Sequence, residues 1–468
     1  MYKEILAEIK PSLFQRGPLR YNRLMPIAPI YQNRHVYHFT PVANLPAILA
    51  HGLLSLREQQ RQGLAQRTIV WEAVQRHRAA VQVPVPPGGT PEEFVPLYFC
   101  NLSPMLLMIM SSKVIDEESI IHFEFPISIL SERTAIFTDA AIIPNSQPNF
   151  FTDPVELDAL NWEAIDSPVW RMPTERLSHA RLSELLIHRQ MPIASATRLI
   201  VWDSAMAGQV LQLFQSTGLT PPPIETDPSC YFLDPQASHL KPAISGPTLI
   251  YQAYQSTIQR LSTEINRAVN PRFASLSELR DCLHKDLGCL PETSEMVGLQ
   301  TDNRAHFEDV GAHTRRVVQE TMRSPEFLAL PPHDRMLLEI SAFLHDIGKG
   351  PKRRWETFDG KQQLDPDHPI KALPMLHRIL VEEVAQIDYA DAVLLCKLVV
   401  YHDIIGGILF SGRRLEELLG IFEDRREFQM LMGLGRADSV AINPAWNHDS
   451  ERETLRQAVF ALLTPKES

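Results

Sequence analysis

The chain has 468 residues, 44% of them apolar and 22% charged, which is too long for one compact core and rich enough in hydrophobic material to exclude wholesale disorder; two or three domains are expected. Its net charge of −11 argues against a protein that coats nucleic acid nonspecifically, yet residues 1–80 hold eleven Lys/Arg against four Asp/Glu. Five scattered cysteines without a CxxC pair, a charged N-terminus (MYKEILAEIK) and no uninterrupted apolar run longer than residues 105–110 predict a cytoplasmic protein with no disulfide framework, zinc ribbon or membrane segment.

Residues 1–237 read as an α+β domain, because short runs rich in Val, Ile, Phe and Tyr (YHFT, VPLYF, IIHFEFP, TRLIVWD, CYFL) are each bounded by polar or turn residues. The first run leaves His38 and Thr40 at a strand end, followed by Asn44-Leu45 and a short helix stopped by Gly52; polar side chains placed there invite a ligand. VQVPVPPGGTPEE at 81–93 suits neither a helix nor a central strand and is read as a mobile loop. SHLKPAISGPT at 238–248 has linker composition, which sets a linker over 238–250 and a second domain over 251–468. In that domain apolar residues recur at three- and four-residue spacing over 249–269, 334–346, 371–385 and 390–402, predicting an all-α bundle.

The helical half carries His313 in VGAHTRRVV, His345-Asp346 in FLHDIGKG and Asp438 in LGRADSVA. Imidazoles and carboxylates in this order, on three helical segments, suit a divalent ion (Mn, Fe, Zn, Ni, Co or Mg) that acidifies water for attack on phosphorus. Gly348 would let the backbone approach such a site, and Lys349 could meet a substrate phosphate. An HD dipeptide alone carries nothing, since His333-Asp334, His402-Asp403 and His448-Asp449 also occur.

Over residues 30–235 several motifs in order resemble the DNA-targeting ADP-ribosyltransferase toxins of the DarT family. YHFTPVANLPAILAHGLLS (37–55) is similar to the family's opening NAD-binding element, VQRHR (74–78) to its arginine-bearing helix, and FVPLYFCNLSPML (94–106) to the strand with its SPML. FTDAA (137–141), LNW (160–162) with Trp170, and RLSELLIHRQMPI (181–193) complete the series. The resemblance implies that Glu184 is the catalytic carboxylate, stabilising positive charge on the anomeric carbon as the nicotinamide–ribose bond breaks. It implies an assisting arginine, Arg78 with Arg76 as runner-up, and NAD held by His38, Thr40 and Asn44; no GxGxxG is present for Rossmann binding. Asn101-Leu102 stand where such toxins often carry an arginine beside SPML, a departure on the acceptor side.

Residues 300–445 resemble the HD-domain metal-dependent phosphohydrolases, in which His368 and His402 fall where binuclear members carry extra ligands. Together the resemblances imply a toxin or defence enzyme that moves ADP-ribose from NAD to a nucleic-acid base, thymidine or guanosine in single-stranded DNA, with a helical domain that regulates or reverses it. Single-stranded nucleic acid, DNA ahead of RNA, is the expected partner, alongside an antitoxin or a second copy of the chain. The competing reading makes the helical domain a nucleotide or cyclic-nucleotide phosphohydrolase whose N-terminal domain only senses NAD or nucleic acid. A third treats the helices as an oligomerisation or nucleotide-sensing platform without catalysis.

Overall fold

The computed structural model describes residues 26–64, 72–132, 134–169, 172–302, 308–422 and 424–463. Trp170, and residues 1–25 and 65–71 of the basic stretch, lie outside them.

The first domain is built on β1 (His35–Pro41), β2 (Leu53–Leu54), β3 (Phe94–Tyr98), β4 (Ile120–Pro126), β5 (Ala135–Thr138), β6 (Phe150–Phe151), β7 (Glu184–His188), β8 (Gln190–Met191), β9 (Arg198–Val201) and β10 (Ile224–Thr226). Eight of these form one sheet in the order β10-β9-β4-β1-β3-β7-β5-β6, antiparallel throughout except for the β10–β9 pair; β2 and β8 pair separately. β4 reads IIHFEFP because it is central and covered on both faces, with six of its seven residues buried. β7 is anchored likewise: Leu185, Leu186 and Ile187 are buried, each side chain contributing about 1.5–3 kcal/mol, and this fixes the residue at its start, Glu184. Helices α1 (Leu45–His51), α2 (Glu72–Ala80), α3 (Pro104–Ser111), α4 (Glu175–Arg181) and α5 (Ser204–Thr217) flank the sheet. Gly52 ends α1 at φ +74°, and Ser103 caps α3 by accepting from the Met105 amide.

The second domain comprises α6 (Pro247–Glu264), α7 (Leu276–Lys285), α8 (Val310–Arg323), α9 (Pro332–Leu344), α10 (His368–Arg378), α11 (Tyr389–Val400), α12 (Ile404–Phe410), α13 (Arg425–Ile442) and α14 (Asp449–Leu462), with a further seven-residue helix at Leu415–Ile421 and shorter turns between, around its own apolar core. It is largely helical but not all-α. β11 (Phe273–Ser275) and β12 (Val384–Gln386) pair in parallel, so the periodic run expected over 371–385 closes in a strand.

Two further expectations are corrected. The 238–250 segment is packed rather than slack: Pro242 bridges Leu233, Ala243 N donates to the Phe232 carbonyl at 2.7 Å, Ile244 joins the sheet core, and α6 already begins at Pro247. The 81–93 segment is a built turn, with Val83 buried and its amide donating to the Gly89 carbonyl at 2.9 Å, while Gly88 and Gly89 take φ +81° and +84°. Among the described residues, 389–410 is long and apolar enough to span a bilayer. It lies mostly within the helical core and breaks between α11 and α12, where His402 turns inward.

Candidate functional site

At one end of the sheet, Glu184 opens β7 directly opposite Tyr98, the last residue of β3. The residue is 1% exposed, and both carboxylate oxygens accept from Arg78 Nη1 at 2.9 Å. Arg78 reaches over from α2, while Arg76 is exposed, so the geometry separates the two arginines named from sequence. The Glu184 amide donates to Thr138 Oγ1 at 3.2 Å, and that hydroxyl donates to the Ala140 carbonyl; the FTDAA turn therefore holds the start of β7. Burial, and then the Glu184 charge, push the Tyr98 phenol far up, so it stays a neutral donor.

Beside this pair lies a cavity of about 190 Å³ lined by His38, Thr40, Tyr98, Met105, Gln75 and Arg78 among others. His38 Nδ1 donates to the Pro96 carbonyl at 2.9 Å, which leaves Nε2 as an acceptor; burial lowers its pKa and keeps the ring neutral. Asn44 does not line the cavity. It is buried, and its Nδ2 donates to Thr40 Oγ1 at 3.1 Å, so it orients Thr40. Asn101 donates to the Ser229 carbonyl and hydroxyl at 3.1 and 3.0 Å, tying the end of β3 to the chain after β10. Tyr98 and Thr138 were missed from sequence; both lie inside recognised motifs, but only strand pairing brings them to Glu184.

In the helical domain the six side chains singled out from sequence meet. His313 comes from α8, His345 and Asp346 follow α9, His368 opens α10, His402 sits between α11 and α12, and Asp438 lies on α13. They form two three-ligand sets that share Asp346: His313, His345 and Asp346, and Asp346, His368 and His402, with donor atoms in each within 4.8 Å of one another. Asp438 Oδ1 accepts from His313 Nε2 at 3.0 Å. Three of the imidazoles donate Nδ1 to a backbone carbonyl: His345 to Ala342, His368 to Asp365 and His402 to Val399, at 2.8–2.9 Å. Their Nε2 lone pairs then point at one another. His368 Nε2 and His402 Nε2 lie 3.1 Å apart, and His345 Nε2 has no hydrogen-bond partner although Asp346 Oδ2 is 3.3 Å away. Burial and the neighbouring rings of His368 and His345 push His402 down to about 4, so that ring stays neutral, whereas the Asp346 carboxylate raises His345 against its burial. Converging lone pairs beside buried carboxylates fit a divalent cation.

Lys349 sits on this cluster rather than facing outward: its ammonium donates to Asp346 Oδ2 at 2.6 Å. Gly348 is required by packing, since a Cβ there would lie 1.9 Å from the His368 carbonyl oxygen. That is what brings α10 close enough for His368 to join the cluster.

The mixed sheet thus presents a buried, arginine-held carboxylate beside a largely apolar cavity in which His38, Thr40 and Tyr98 are polar groups, an arrangement suited to opening a glycosidic bond. Residues 37–232 match the family model described as ssDNA thymidine ADP-ribosyltransferase, DarT. The chain is 32% identical over 185 residues to a DNA ADP-ribosyl transferase of Thermus sp. (strain 2.9), covering 38% of this chain and 87% of that relative. It is 30% identical over 205 residues to a DNA ADP-ribosyl transferase of Thermus aquaticus, covering 42% and 88%. The chain belongs to the DarT family. Among solved structures, Thermus sp. 2.9 DarT in complex with ADP-ribosylated ssDNA aligns over 44% of this chain and 99% of that one, at 27% identity and a TM-score of 0.40. The same protein in complex with NAD+ aligns over 43% and 98%, at 27% identity and a TM-score of 0.38.

Proposed function

We propose that the sheet domain transfers ADP-ribose from NAD to a base of single-stranded DNA, thymidine or guanosine, as a toxin or defence enzyme. The observation that carries this is the Glu184 carboxylate, gripped through both oxygens by Arg78 beside the His38/Thr40/Tyr98 cavity and inside the matched stretch. In the reaction the bond between the ribose anomeric carbon and the nicotinamide nitrogen breaks, and its electron pair leaves with nicotinamide. A base nitrogen then bonds to that carbon and loses its proton. Glu184 accepts a ribose hydroxyl and faces the positive charge as it grows. His38 Nε2 accepts from the amide or ribose end of NAD, and Thr40, held by Asn44, supplies a neutral partner that an anionic substrate tolerates.

The test is incubation of the protein and E184Q with labelled NAD and single-stranded DNA, RNA or protein, followed by mass analysis of each polymer. A Glu184-dependent adduct on a DNA base is expected. Label on RNA or protein only would discard the acceptor, and no transfer at all would reduce the domain to an NAD or nucleic-acid sensor.

The converging Nε2 atoms of the helical domain favour a second activity, a metal-dependent phosphohydrolase that regulates or reverses the transfer. His313, His345, Asp346, His368, His402 and Asp438 would hold the ion or ions. A divalent cation there supplies Lewis-acid polarisation of a phosphoester and acidifies water. The Nδ1–carbonyl bonds fix the imidazole tautomers and aim, and Lys349 balances charge on Asp346. Adduct that persists equally with wild type and H345A removes the reversal role. Chelator-sensitive phosphatase activity without NAD turnover would make the helical domain the principal enzyme.

A further inference from the structure

The imidazoles of one ligand set, His368 and His402, each adjoin an aspartate bonded from outside the helical bundle. Asp403, next to His402, accepts from the Lys113 ammonium on Oδ2 at 2.7 Å and from Arg413 on Oδ1 at 3.1 Å. Asp367, next to His368, accepts from Ser245 twice, the backbone N on Oδ1 at 2.9 Å and the hydroxyl on Oδ2 at 2.7 Å. Lys113 belongs to the sheet domain, just beyond the end of α3. Ser245 follows Ile244, which is packed in the sheet core. Lys113, Ser245 and Asp367 are buried, and Lys113 takes φ +54°, a left-handed backbone that a lysine keeps only where its surroundings hold it.

A third tie lies alongside. Asp116 of the sheet domain accepts the Thr248 amide at 2.9 Å and its hydroxyl at 2.6 Å, capping α6. Gly246 permits it, because a Cβ there would lie 2.6 Å from the Asp116 Cα. The docking is thus specific, and two of its three ties end beside a ligand of the same set.

The physical consequence concerns aim. His402 sits in the break between α11 and α12, and His368 is the first residue of α10. The Nδ1–carbonyl bonds turn each ring relative to its own backbone, but neither backbone position is fixed by helix hydrogen bonding alone, so where each imidazole sits relative to the other ligands depends also on what holds the adjoining aspartate. The other set draws His313 from within α8, which packs directly on α13.

We infer that Lys113 and Ser245 are positioning residues for the His368/His402 arm, so that this ion position is complete only when the sheet domain is docked. This rests on the metal reading of the helical site. The experiment is calorimetric titration of the full chain with Mn2+ alone, with near-UV circular dichroism to check folding. Wild type takes up Mn2+ in two steps, and H402Q abolishes one and thereby marks it. K113M weakens the marked step by about tenfold or more and leaves the other within about twofold, K113R restores it, and S245A weakens the same step less. The inference is overturned if K113M and S245A leave the marked step unmoved, or if both steps weaken equally. Should K113M fail to fold, S245A decides alone, and an unchanged marked step overturns the inference. A wild-type protein that binds no Mn2+, or binds it indifferently to H402Q, sinks the metal reading and this inference with it; two steps unmoved by the variants sink the inference only.

Discussion

The two sites solve opposite electrostatic problems. At the sheet site one buried carboxylate is neutralised by one guanidinium, and the other carboxylate lining the cavity, Glu92, pairs with Arg57 at 3.0 Å, so the protein alone balances its charge. In the helical site burial raises Asp346, but a positively charged His345 ring and the Lys349 ammonium outweigh it and hold the carboxyl well below its usual range, while the Nε2 atoms of His368 and His402 face each other at 3.1 Å. The comparison teaches how differently each site would use a substrate. On the proposed reading the first is preorganised for a cation that exists only during reaction, and the second would be arranged around a cation that stays.

The sharpest way to break this contrast is at Glu184. E184Q keeps the shape and removes the charge, and transfer to single-stranded DNA should fall by on the order of 10²–10³-fold, measured by labelled NAD, with Mn2+ binding unchanged. H345A removes a fully buried imidazole that lies near both Asp346 and Asp438. Mn2+ affinity should drop by more than the ~10–100-fold expected of an outer partner, while transfer continues. Loss of transfer in H345A would erase the separation of the sites.

Smaller effects sharpen the comparison through packing and pH. G348A forces a methyl onto the His368 carbonyl, and since backbone cannot rotate away, a loss of about 1–3 kcal/mol is expected, read as a Tm lower by several degrees together with weaker Mn2+ uptake. In the sheet domain His122 is fully buried, neither ring nitrogen has a hydrogen-bond partner, and burial followed by the nearby His38 pushes its pKa down to about 3. The unfolded chain takes up this proton near pH 6.5 and the folded chain does not until about 3. Stability should therefore fall as pH drops through that window, by up to about 1.4 kcal/mol per unit, and be unaffected above it. H122F, which keeps an aromatic ring against Tyr231 and Phe39, should flatten that slope by one proton in denaturant titrations between pH 7 and 5.

Local pattern made much of this legible. The strand carrying His38 and Thr40, the Gly52 stop and the helical periodicity follow from short-range chemistry and are found, although the strand runs on to Pro41 and leaves His38 at its middle rather than its end. Asn44 was read as a direct ligand because sequence cannot tell a group that faces a cavity from one that holds its neighbour. The 238–250 segment reads as a linker because Pro, Gly and Ser favour a packed turn as readily as a loose one; Ile244 decides it by joining the sheet core and Ser245 by bonding Asp367, 122 positions away. β11 and β12 are three residues each, too short for alternation to register against the surrounding periodicity. Lys349, expected to meet a substrate phosphate, bonds Asp346 three residues earlier at 2.6 Å, a partner that the i,i+3 spacing itself offers. The pairing of His368 with His402 spans 34 positions and is set by the approach that Gly348 allows, which no local pattern encodes.

Because the cap of α6 is a carboxylate from the other domain, pressed against a glycine that could carry no side chain, these halves are poor material for modular exchange. A lineage that grafted the helical half onto a different enzyme would have to carry along an aspartate and a lysine lying over a hundred residues upstream of the join. Separating the halves would strip α6 of its cap and leave Lys113 without Asp403.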